Sequence, residues 1–400
     1  MPLSVAEAVQ QILYGVEPTA AETVSIEQAA GRVLAAPLAA RLTQPPFDAS
    51  AMDGYAVRAA DVAPLPAQLR VIGQAAAGHP YSGRVGAGEA VRIFTGAPMP
   101  EGADAIVIQE NTVQEGAFVD VREGQPDPSY IRPRGFDFCA GDLLLEAGRR
   151  LGPREIALAA AMGHAAVPVR RRPVVAILAT GDELVPPGTV LGPGKIVSSN
   201  HLGVAALAAQ AGGEPRQLGI ARDTGDSLER HLERAEGADI LVTIGGASVG
   251  EHDLVVPVLK ERGLALAFWK IDMKPGKPAM FGRLGAQRVL GLPGNPVSAL
   301  ICSRVFLVPL IRALLGQPQE DPATCRARLA EPLEANGPRQ HYVRASLRKR
   351  SDGVPEVRPA RSQDSSLLAP LASADGLLVR PPYAPAQPAG TEVSVLLLDF

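Results

Sequence analysis

Acidic side chains recur just after three strand-like segments of the chain. Glu183 follows a continuous apolar run, Asp223 follows the next such segment, and Asp253 closes a glycine-rich stretch after a third. In an open α/β sheet, ligands bind outside the carboxyl ends of the strands. Carboxylates at that edge suit a hard cation such as Mg²⁺ that bridges them to phosphate oxygens. Asp182, Glu183 and Asp253 can each instead be a helix N-cap or first-turn residue, but three acids at one edge favour a ligand site.

The glycine-rich stretch reads Thr-Ile-Gly-Gly-Ala-Ser-Val-Gly-Glu-His-Asp. Gly245 and Gly246 allow backbone N–H groups to approach an anion, and Ser248 adds a hydroxyl donor. The stretch matches neither the GxGxxG nor the GxxxxGK[ST] pattern, and its glycines can also serve simply as turn formers. The pattern therefore indicates a phosphate-like or nucleotide-like site without naming the nucleotide.

Two lysines lie three residues apart in the segment Lys-Pro-Gly-Lys-Pro. Lys274 and Lys277 can present paired point charges to one oxyanion because the prolines restrict the loop. Solvated surface lysines are the alternative. The later Gly-Leu-Pro-Gly-Asn-Pro turn precedes an apolar helix whose N-terminus can also face an anion, and it adds Pro293 and Pro296 to the candidate binding residues.

Other classes of chemistry have little support. The six histidines show no metal-ligand spacing and no Ser/His/Asp arrangement, and the three cysteines are far apart. The net charge of −3 does not fit a general nucleic-acid binder. There is no signal-peptide pattern, and no apolar run approaches the roughly 18 residues that span a bilayer. We therefore expect a cytoplasmic protein that binds neither nucleic acid nor membrane.

Four hundred residues predict two to four domains. A Ser4/Glu7 capping box opens a first helix, and a second short helix is expected from Ser25 to Gly31. Many glycines and short β-like runs then indicate a β-rich domain, followed by alternating strands and helices typical of a doubly wound α/β domain, and a Pro-rich, strand-like tail. The predicted divisions are an N-terminal connecting region at 1–46 and 143–172, the β-rich domain at 47–142, the α/β domain at 173–320 and a C-terminal β-barrel at 321–400.

Seven motifs occur in one order along the chain: SAMDGYAV, RIFTGAPMPEGADAIV, RPRGFDFCAGD, ATGDEL, TIGGASVGEHD, KPGKP and GLPGNPVS. From about residue 4 to residue 400 the chain resembles the molybdopterin molybdenumtransferase (MoeA) family, which is related to the E domain of gephyrin. The resemblance implies a multidomain α/β plus β protein with a MogA-like molybdopterin-binding domain. It also implies a homodimer in which the β domain of one protomer closes the site on the α/β domain of the other.

The implied reaction takes adenylylated molybdopterin and molybdate and yields molybdenum cofactor and AMP with Mg²⁺ present. By motif, the resemblance makes Glu183, Asp223 and Asp253 the acids at the pterin nucleotide and the metal. The β domain contributes Asp53, Thr95, Arg132 and Asp137, of which the Asp-Gly pair at 53–54 is also an ordinary turn signal. Lys274, Lys277, Arg344 and Ser365 form the molybdate-holding set. The chain departs from the family pattern at Ala247 and Asp364, and around Arg344 the match is loose.

Two other functions share this pattern. The α/β domain alone resembles the related molybdopterin adenylyltransferase, which is also an expected partner, and the whole fold resembles a gephyrin-like scaffold. The chain retains the Lys-Pro-Gly-Lys-Pro segment at 274–278, called the lysine loop below, and it retains the extra domains. Both features favour molybdate insertion. The absence of a fused second domain and a long linker in this sequence speaks against a scaffold lattice.

Overall fold

The computed structural model describes residues 2–246, 254–319, 323–351 and 353–398. By its internal contacts the chain forms two compact units. The first comprises Met1–Glu22, Gly31–Ala35 and Pro168–Phe400, and the second comprises Thr23–Ala30 and Ala36–Val167. The four-part division expected from the sequence stays a prediction.

The first half of the chain is built mainly from short strands, as its glycine and proline content leads one to expect. Its elements are α1 (Val5–Leu13), β1 (Ala21–Ser25), β2 (Leu38–Ala39), β3 (Ala49–Ser50), β4 (Gly54–Val57), β5 (Ala67–Ala75), β6 (Glu89–Ile93), β7 (Ala105–Ile108), β8 (Thr112–Glu115), β9 (Phe118–Val121), β10 (Ile131–Arg132), β11 (Leu143–Leu145), α2 (Pro153–Ala161) and β12 (Ala166–Arg170).

The second unit is organised around a six-stranded sheet with the order β7-β4-β6-β5-β9-β8. All four residues of β4 are buried because this strand is paired on both sides, with β6 and with β7. Two apolar clusters lie on the sheet, one containing Tyr55 and Val57 and the other containing Ala56, so side chains alternate between its faces. The β-rich character predicted for this region is confirmed.

The second half alternates strands and helices before it ends in strands. Its elements are β13 (Val174–Thr180), β14 (Leu184–Val185), β15 (Ile196–Val197), α3 (Asn200–Gln210), β16 (Glu214–Ala221), α4 (Gly225–Glu233), β17 (Ile240–Ile244), α5 (Val255–Glu261), β18 (Ala265–Trp269), β19 (Met273–Lys274), β20 (Met280–Leu284), β21 (Gln287–Leu292), α6 (Pro296–Cys302), α7 (Val308–Leu314), β22 (Thr324–Leu329), β23 (Gln340–Arg348), β24 (Glu356–Pro359), α8 (Leu368–Ala372), β25 (Gly376–Arg380) and β26 (Glu392–Leu397).

The α/β part of the first unit is a six-stranded sheet with the order β16-β13-β17-β21-β20-β18. Its first four strands are mutually parallel, and β20 and β18 continue it in antiparallel fashion. Every residue of β13 is buried, since helices cover both faces: α3, α6 and α7 share one apolar cluster and α4 and α5 share the other. The doubly wound prediction is confirmed, and the carboxyl ends of four parallel strands meet at one edge.

Three local expectations need correction. The helix expected from Ser25 to Gly31 is only a single 3₁₀ turn at Ile26–Gln28, and the backbone turns left-handed at Gly31. Strand β20 was not expected. It forms because the turn at Gly285 (φ +60°) folds it back onto β21. The helical run Pro296–Leu314 does have the length and apolar composition to cross a membrane, but 72% of it is buried inside the protein, as in a core helix.

The C-terminal strands close on themselves. The order β23-β24-β22-β26-β25 is completed by pairing of β25 with β23, and the short strand β19 adds to β23 from outside. Small aliphatic side chains such as Val343, Ala345 and Val395 fill the interior. The predicted C-terminal β-barrel is confirmed. Because β19 belongs to the lysine loop, the barrel is joined directly to the segment that carries Lys274.

Candidate functional site

A cavity of about 780 Å³ lies at the carboxyl ends of β13, β16, β17 and β21. This is where an open α/β sheet binds its ligands, and the volume is that of a small-molecule or cofactor site. Six residues that the sequence analysis selected line it: Glu183, Asp223, Gly245, Gly246, Pro293 and Pro296. Ser248 and Asp253 lie outside the described residues.

The two acids at the cavity do not cap helices. Asp223 Oδ2 accepts from the N–H of Asp182 at 3.2 Å, and Asp182 Oδ1 accepts from the N–H of Asp223 at 3.3 Å, so the two loops are tied to each other. The N-cap of α4 is Thr224, whose hydroxyl accepts from Ser227 N–H. After Glu183 the chain continues into β14 and not into a helix. The capping alternative is therefore wrong for Asp182 and Glu183, and the carboxylates of Glu183 and Asp223 are both exposed.

Two glycines at this edge have positive φ angles and close neighbours. At Gly181 (φ +151°) a Cβ would lie 2.6 Å from Oε2 of Glu183, and at Gly245 (φ +92°) it would lie 2.6 Å from the carbonyl oxygen of Thr180. Any side chain at Gly245 would also sit in a left-handed backbone conformation. The close approach of Gly245 to the end of β13 therefore requires glycine, whereas the end of the Glu183 side chain can move away from a Cβ at Gly181.

The opposite side of the cavity is formed by the turn before α6. Asn200 Nδ2 donates to the carbonyl oxygen of Gly294 at 2.6 Å, which fixes this turn to the start of α3. Asn295 is the N-cap of α6 but makes no capping bond with its side chain. Its Nδ2 instead donates to Ser365 Oγ at 2.8 Å, while the carbonyl of Ser365 accepts from Val297 N–H at 3.1 Å. The tail is thus attached to the cavity wall at Ser365.

Arg344 holds the loop that presents Ser365. It is 1% exposed, and its guanidinium donates to the carbonyl oxygens of Ser362, Asp364 and Leu367 at 3.1, 2.9 and 2.9 Å. Burial lowers the pKa of this guanidinium, partly offset by the charge of Asp364. Direct contact of Arg344 with molybdate stays a prediction. The observed hydrogen bonds give it an organising role, because it gathers the carbonyls of 362–367 around one cation.

The lysine loop is closely packed against the helix core at Gly276. Gly276 has φ +110°, and a Cβ there would lie 2.4 Å from Sγ of Cys302, a buried thiol whose pKa is raised by burial. The carbonyl of Lys277 accepts from Ile271 N–H at 2.9 Å. Both lysine side chains are exposed, and Pro278 lines the cavity. Within the described ranges no carboxylate lies in salt-bridge distance of either ammonium group.

Sequence reasoning missed the entrance to α3. Ser198, Ser199 and Asn200 line the cavity, and Ser198 Oγ lies 2.9 Å from Nδ1 of His201. Both members of this pair are buried, and burial lowers the pKa of His201, so the imidazole is neutral at physiological pH. The signal was present, since a Ser-Ser-Asn sequence before an apolar helix is a typical N-terminal pattern.

In the second unit, Asp53 and Thr95 come together. Asp53 Oδ1 accepts from both the N–H and the hydroxyl of Thr95 at 2.8 Å, and these bonds hold the pKa of the carboxyl below its ordinary value. Arg92 lies beside them with its Cζ 5.0 Å from the ring centroids of Tyr55 and Phe94. The Asp-Gly pair at 53–54 therefore does more than form a turn, because the carboxylate is fixed and partly exposed.

The remaining two predicted residues of this unit lie in one exposed segment. Arg132 belongs to β10, where it pairs with Ala49 of β3, and the N–H of Asp137 donates to the carbonyl of Gln44 at 3.0 Å. Their side chains are exposed. The roles that the family resemblance implies for them stay predictions.

The candidate metal ligands expected from the sequence are acids of the first unit. Among the described residues no group of three or more His, Cys, Asp or Glu is arranged to hold a metal ion. Glu183 and Asp223 nonetheless border the same cavity, and the third acid expected there, Asp253, lies beyond the described residues.

Comparison with known families covers most of the chain. Residues 3–163 match the MoeA N-terminal region (domain I and II), residues 176–313 match a probable molybdopterin binding domain, and residues 326–398 match the MoeA C-terminal region (domain IV). The boundaries of the last two matches agree with the α/β sheet and the barrel seen in the structure.

Individual proteins show the same likeness. The chain is 39% identical over 389 residues to a molybdopterin molybdenumtransferase from Nostoc sp., covering 95% of this chain and 89% of that protein. It is 34% identical to the Bacillus subtilis protein of the same name, over 99% of this chain and 94% of that one. A crystal structure of a molybdopterin biosynthesis MoeA protein from Pyrococcus horikosii superposes with a TM-score of 0.85 at 32% identity, covering 100% of both chains.

Proposed function

The chain belongs to the MoeA family, and on that premise we propose that it inserts molybdate into adenylylated molybdopterin, releasing AMP. Membership makes it an enzyme of molybdenum cofactor biosynthesis. The observation that carries the finer proposal is the cavity at the sheet edge. Its walls bring together carboxylates, backbone donors and a loop of the tail, of which Ser366 lines the cavity and Ser365 is bound to Asn295.

A nucleotide-linked pterin suits this cavity. The backbone N–H of Gly246 and the N-terminus of α3 at Asn200 offer donors to phosphate oxygens. The cavity volume of about 780 Å³ falls in the range of cofactor sites. Molybdate, a tetrahedral dianion, is then held by the cationic loop of Lys274 and Lys277 and by the hydroxyl of Ser365.

Mg²⁺ fits the residues that are present. Glu183 and Asp223 supply exposed carboxylate oxygens, which are the ligands that Mg²⁺ prefers, and the cation usually completes its shell with water and substrate phosphates. When bound there, Mg²⁺ would neutralise charge on the phosphoanhydride and polarise it for cleavage. The reciprocal hydrogen bonds between Asp182 and Asp223 keep the carboxylate of Asp223 at the cavity.

The chain's own residues act mainly by electrostatics and positioning. Backbone donors orient the phosphates, and the lysines hold the oxyanion next to the pterin. Two thiols of the substrate then bond to molybdenum, and one oxide ligand takes the two thiol protons and leaves as water. No protein nucleophile is needed, which agrees with the burial and raised pKa of Cys302.

The test supplies adenylylated molybdopterin, molybdate and Mg²⁺, and follows AMP release together with cofactor formation. We expect both, and we expect excess chelator to stop AMP release. Asp223→Asn should slow it severely. Asp226→Asn is the matched control, because this exposed acid on α4 does not line the cavity. A scaffold would release no AMP, and an adenylyltransferase would consume ATP with free molybdopterin; either result contradicts the proposal.

We also propose that the active form is a cytoplasmic homodimer with a composite site, which receives its substrate from the molybdopterin adenylyltransferase. Support comes from the two separate sets of candidate residues, Asp53 and Thr95 in one unit and Glu183 and Asp223 in the other. Refolding inactive Asp53→Ala together with inactive Glu183→Ala should restore part of the activity. A monomer in sedimentation at micromolar concentration would contradict the dimer.

A further inference from the structure

Three basic residues occupy neighbouring positions at one end of the C-terminal barrel. His341 on β23 is in register with Lys274 on β19 on one side and with Arg380 on β25 on the other. Adjacent strands lie about 5 Å apart, and residues in register direct their side chains to the same face of the sheet. The row Lys274–His341–Arg380 therefore concentrates basic groups on one face.

Arg339 is fixed at the same end. Asn336 Nδ2 donates to the carbonyl oxygens of Arg339, Arg380 and Pro381 at 2.9, 3.2 and 2.6 Å, which ties the start of β23 to the end of β25. On the other side, Gln340 N–H donates to the carbonyl of Asp272 at 3.0 Å, which ties it to β19. The backbone around Arg339 is thus held where three strands converge.

The basic side chains at this end of the barrel differ in their hydrogen-bond partners. Arg380 is 6% exposed, and its guanidinium donates to the carbonyls of Glu334, Ala384 and Pro385. The guanidinium of Arg339 and the ammonium of Lys274 have no side-chain partner within the described ranges, and no carboxylate there is in salt-bridge distance of them. Uncompensated like charges repel each other, and a bound anion relieves that repulsion.

The pKa of the His341 imidazole is strongly lowered. Its burial is the main cause, and the positive charges of Lys274, Arg339, Arg380 and Arg344 add to it, so that the pKa falls to about 4. The imidazole is therefore neutral at physiological pH. A neutral imidazole donates one hydrogen bond without adding charge, which suits an oxyanion held among fixed cations.

We propose that Arg339 and His341, together with Lys274, form an oxyanion subsite at the barrel end that takes molybdate or a tetrahedral dianion of the same class. The proposal rests on the proposed function only for the identity of the anion. It adds Arg339 and His341, both at the start of β23, to the molybdate-holding set that the family resemblance implied. Anion capture at this end raises the local concentration of oxyanion beside the lysine loop.

The experiment titrates sodium molybdate into the full-length protein by calorimetry, with no pterin present. Removing one charge-assisted hydrogen bond should weaken binding about tenfold, so Arg339→Gln is expected to lower molybdate affinity by that factor and His341→Ala by less. Arg348→Gln is the matched control, since it removes an exposed arginine from the far end of the same strand. Unchanged melting temperatures exclude misfolding as the cause.

Turnover separates this inference from the proposed function. If the wild-type protein releases AMP, Arg339→Gln should raise the molybdate concentration needed for half-maximal rate with little change in kcat. If wild-type protein shows no turnover yet Arg339→Gln still loses molybdate affinity, the proposed function fails and the subsite stands. Affinity equal in wild type, Arg339→Gln and His341→Ala, or no molybdate binding by wild type, would overturn the subsite.

Discussion

Replacing Gly276 by alanine tests whether packing beneath the lysine loop fixes it. The new Cβ would lie 2.4 Å from Sγ of Cys302 and 3.1 Å from Sδ of Met273, at φ +110°. The backbone conformation costs about 1–2 kcal/mol for a residue with a side chain. Overpacking of a buried position costs about 1–3 kcal/mol more. Gly276→Ala should therefore destabilise the first unit by about 2–5 kcal/mol.

Two further variants separate these contributions. Gly263 has φ +95° and nothing within 4 Å of a Cβ, so Gly263→Ala carries the backbone cost alone, about 1–2 kcal/mol. Cys302→Ala removes the sulfur that clashes. In the Cys302→Ala background, Gly276→Ala should cost about 1–3 kcal/mol less than it does in wild type, as a coupling energy between neighbouring residues.

The assay is urea unfolding followed by tryptophan fluorescence. Trp269 is the only tryptophan of the chain and belongs to β18, so its signal reports on the α/β sheet. A shift of the lysine loop should also raise the molybdate requirement of turnover in Gly276→Ala but not in Gly263→Ala. Equal destabilisation by Gly276→Ala and Gly263→Ala, with no effect of Cys302→Ala on the difference, would refute the packing argument.

Three other predictions concern single side chains. Arg344→Ala leaves carbonyl groups of its loop without a donor and should destabilise the protein by about 3–5 kcal/mol; Arg344→Lys should recover only part of this, measured by the melting temperature. Thr95→Ala should raise the pKa of Asp53 toward its ordinary value, seen by NMR titration, while the remaining N–H bond keeps it lowered. Because this folded pKa is depressed, the contribution of Asp53 to stability is present above about pH 4 and is lost as the pH falls through the folded value. Lys277→Ala should raise the molybdate concentration needed for turnover about tenfold or more, with rescue by excess molybdate; loss of pterin binding with an unchanged molybdate requirement would contradict the assignment of this loop.

Much of the architecture could be predicted from local pattern. The continuous apolar run of β13 required a strand buried on both faces, and the alternation of strands with helices required parallel pairing. The carboxyl ends of such strands lie at one edge by geometry, so Glu183 and Asp223 were expected to share a cavity on the sequence pattern alone. Motif order along the chain then identified the family.

Local pattern was less reliable where an element depends on a distant partner. Strand β20 exists because β21 pairs with it, and the expected helix at Ser25–Gly31 had too few apolar positions at helical spacing to extend beyond one turn. Closure of the barrel by pairing of β25 with β23 joins residues far apart in sequence, and no periodicity encodes such a pairing.

Only the tertiary structure decided what the candidate side chains touch. The family resemblance assigned both Arg344 and Ser365 to the molybdate-holding set. In the structure the buried guanidinium of Arg344 donates to three carbonyl groups, while the hydroxyl of Ser365 accepts a hydrogen bond from Asn295. Likewise, the register of β19 with β23 puts Lys274 beside His341. Residue types and spacing set the chemistry that each segment can perform. Interactions between segments distant in sequence determine which groups stay free for a ligand, because each buried polar group must first find a partner.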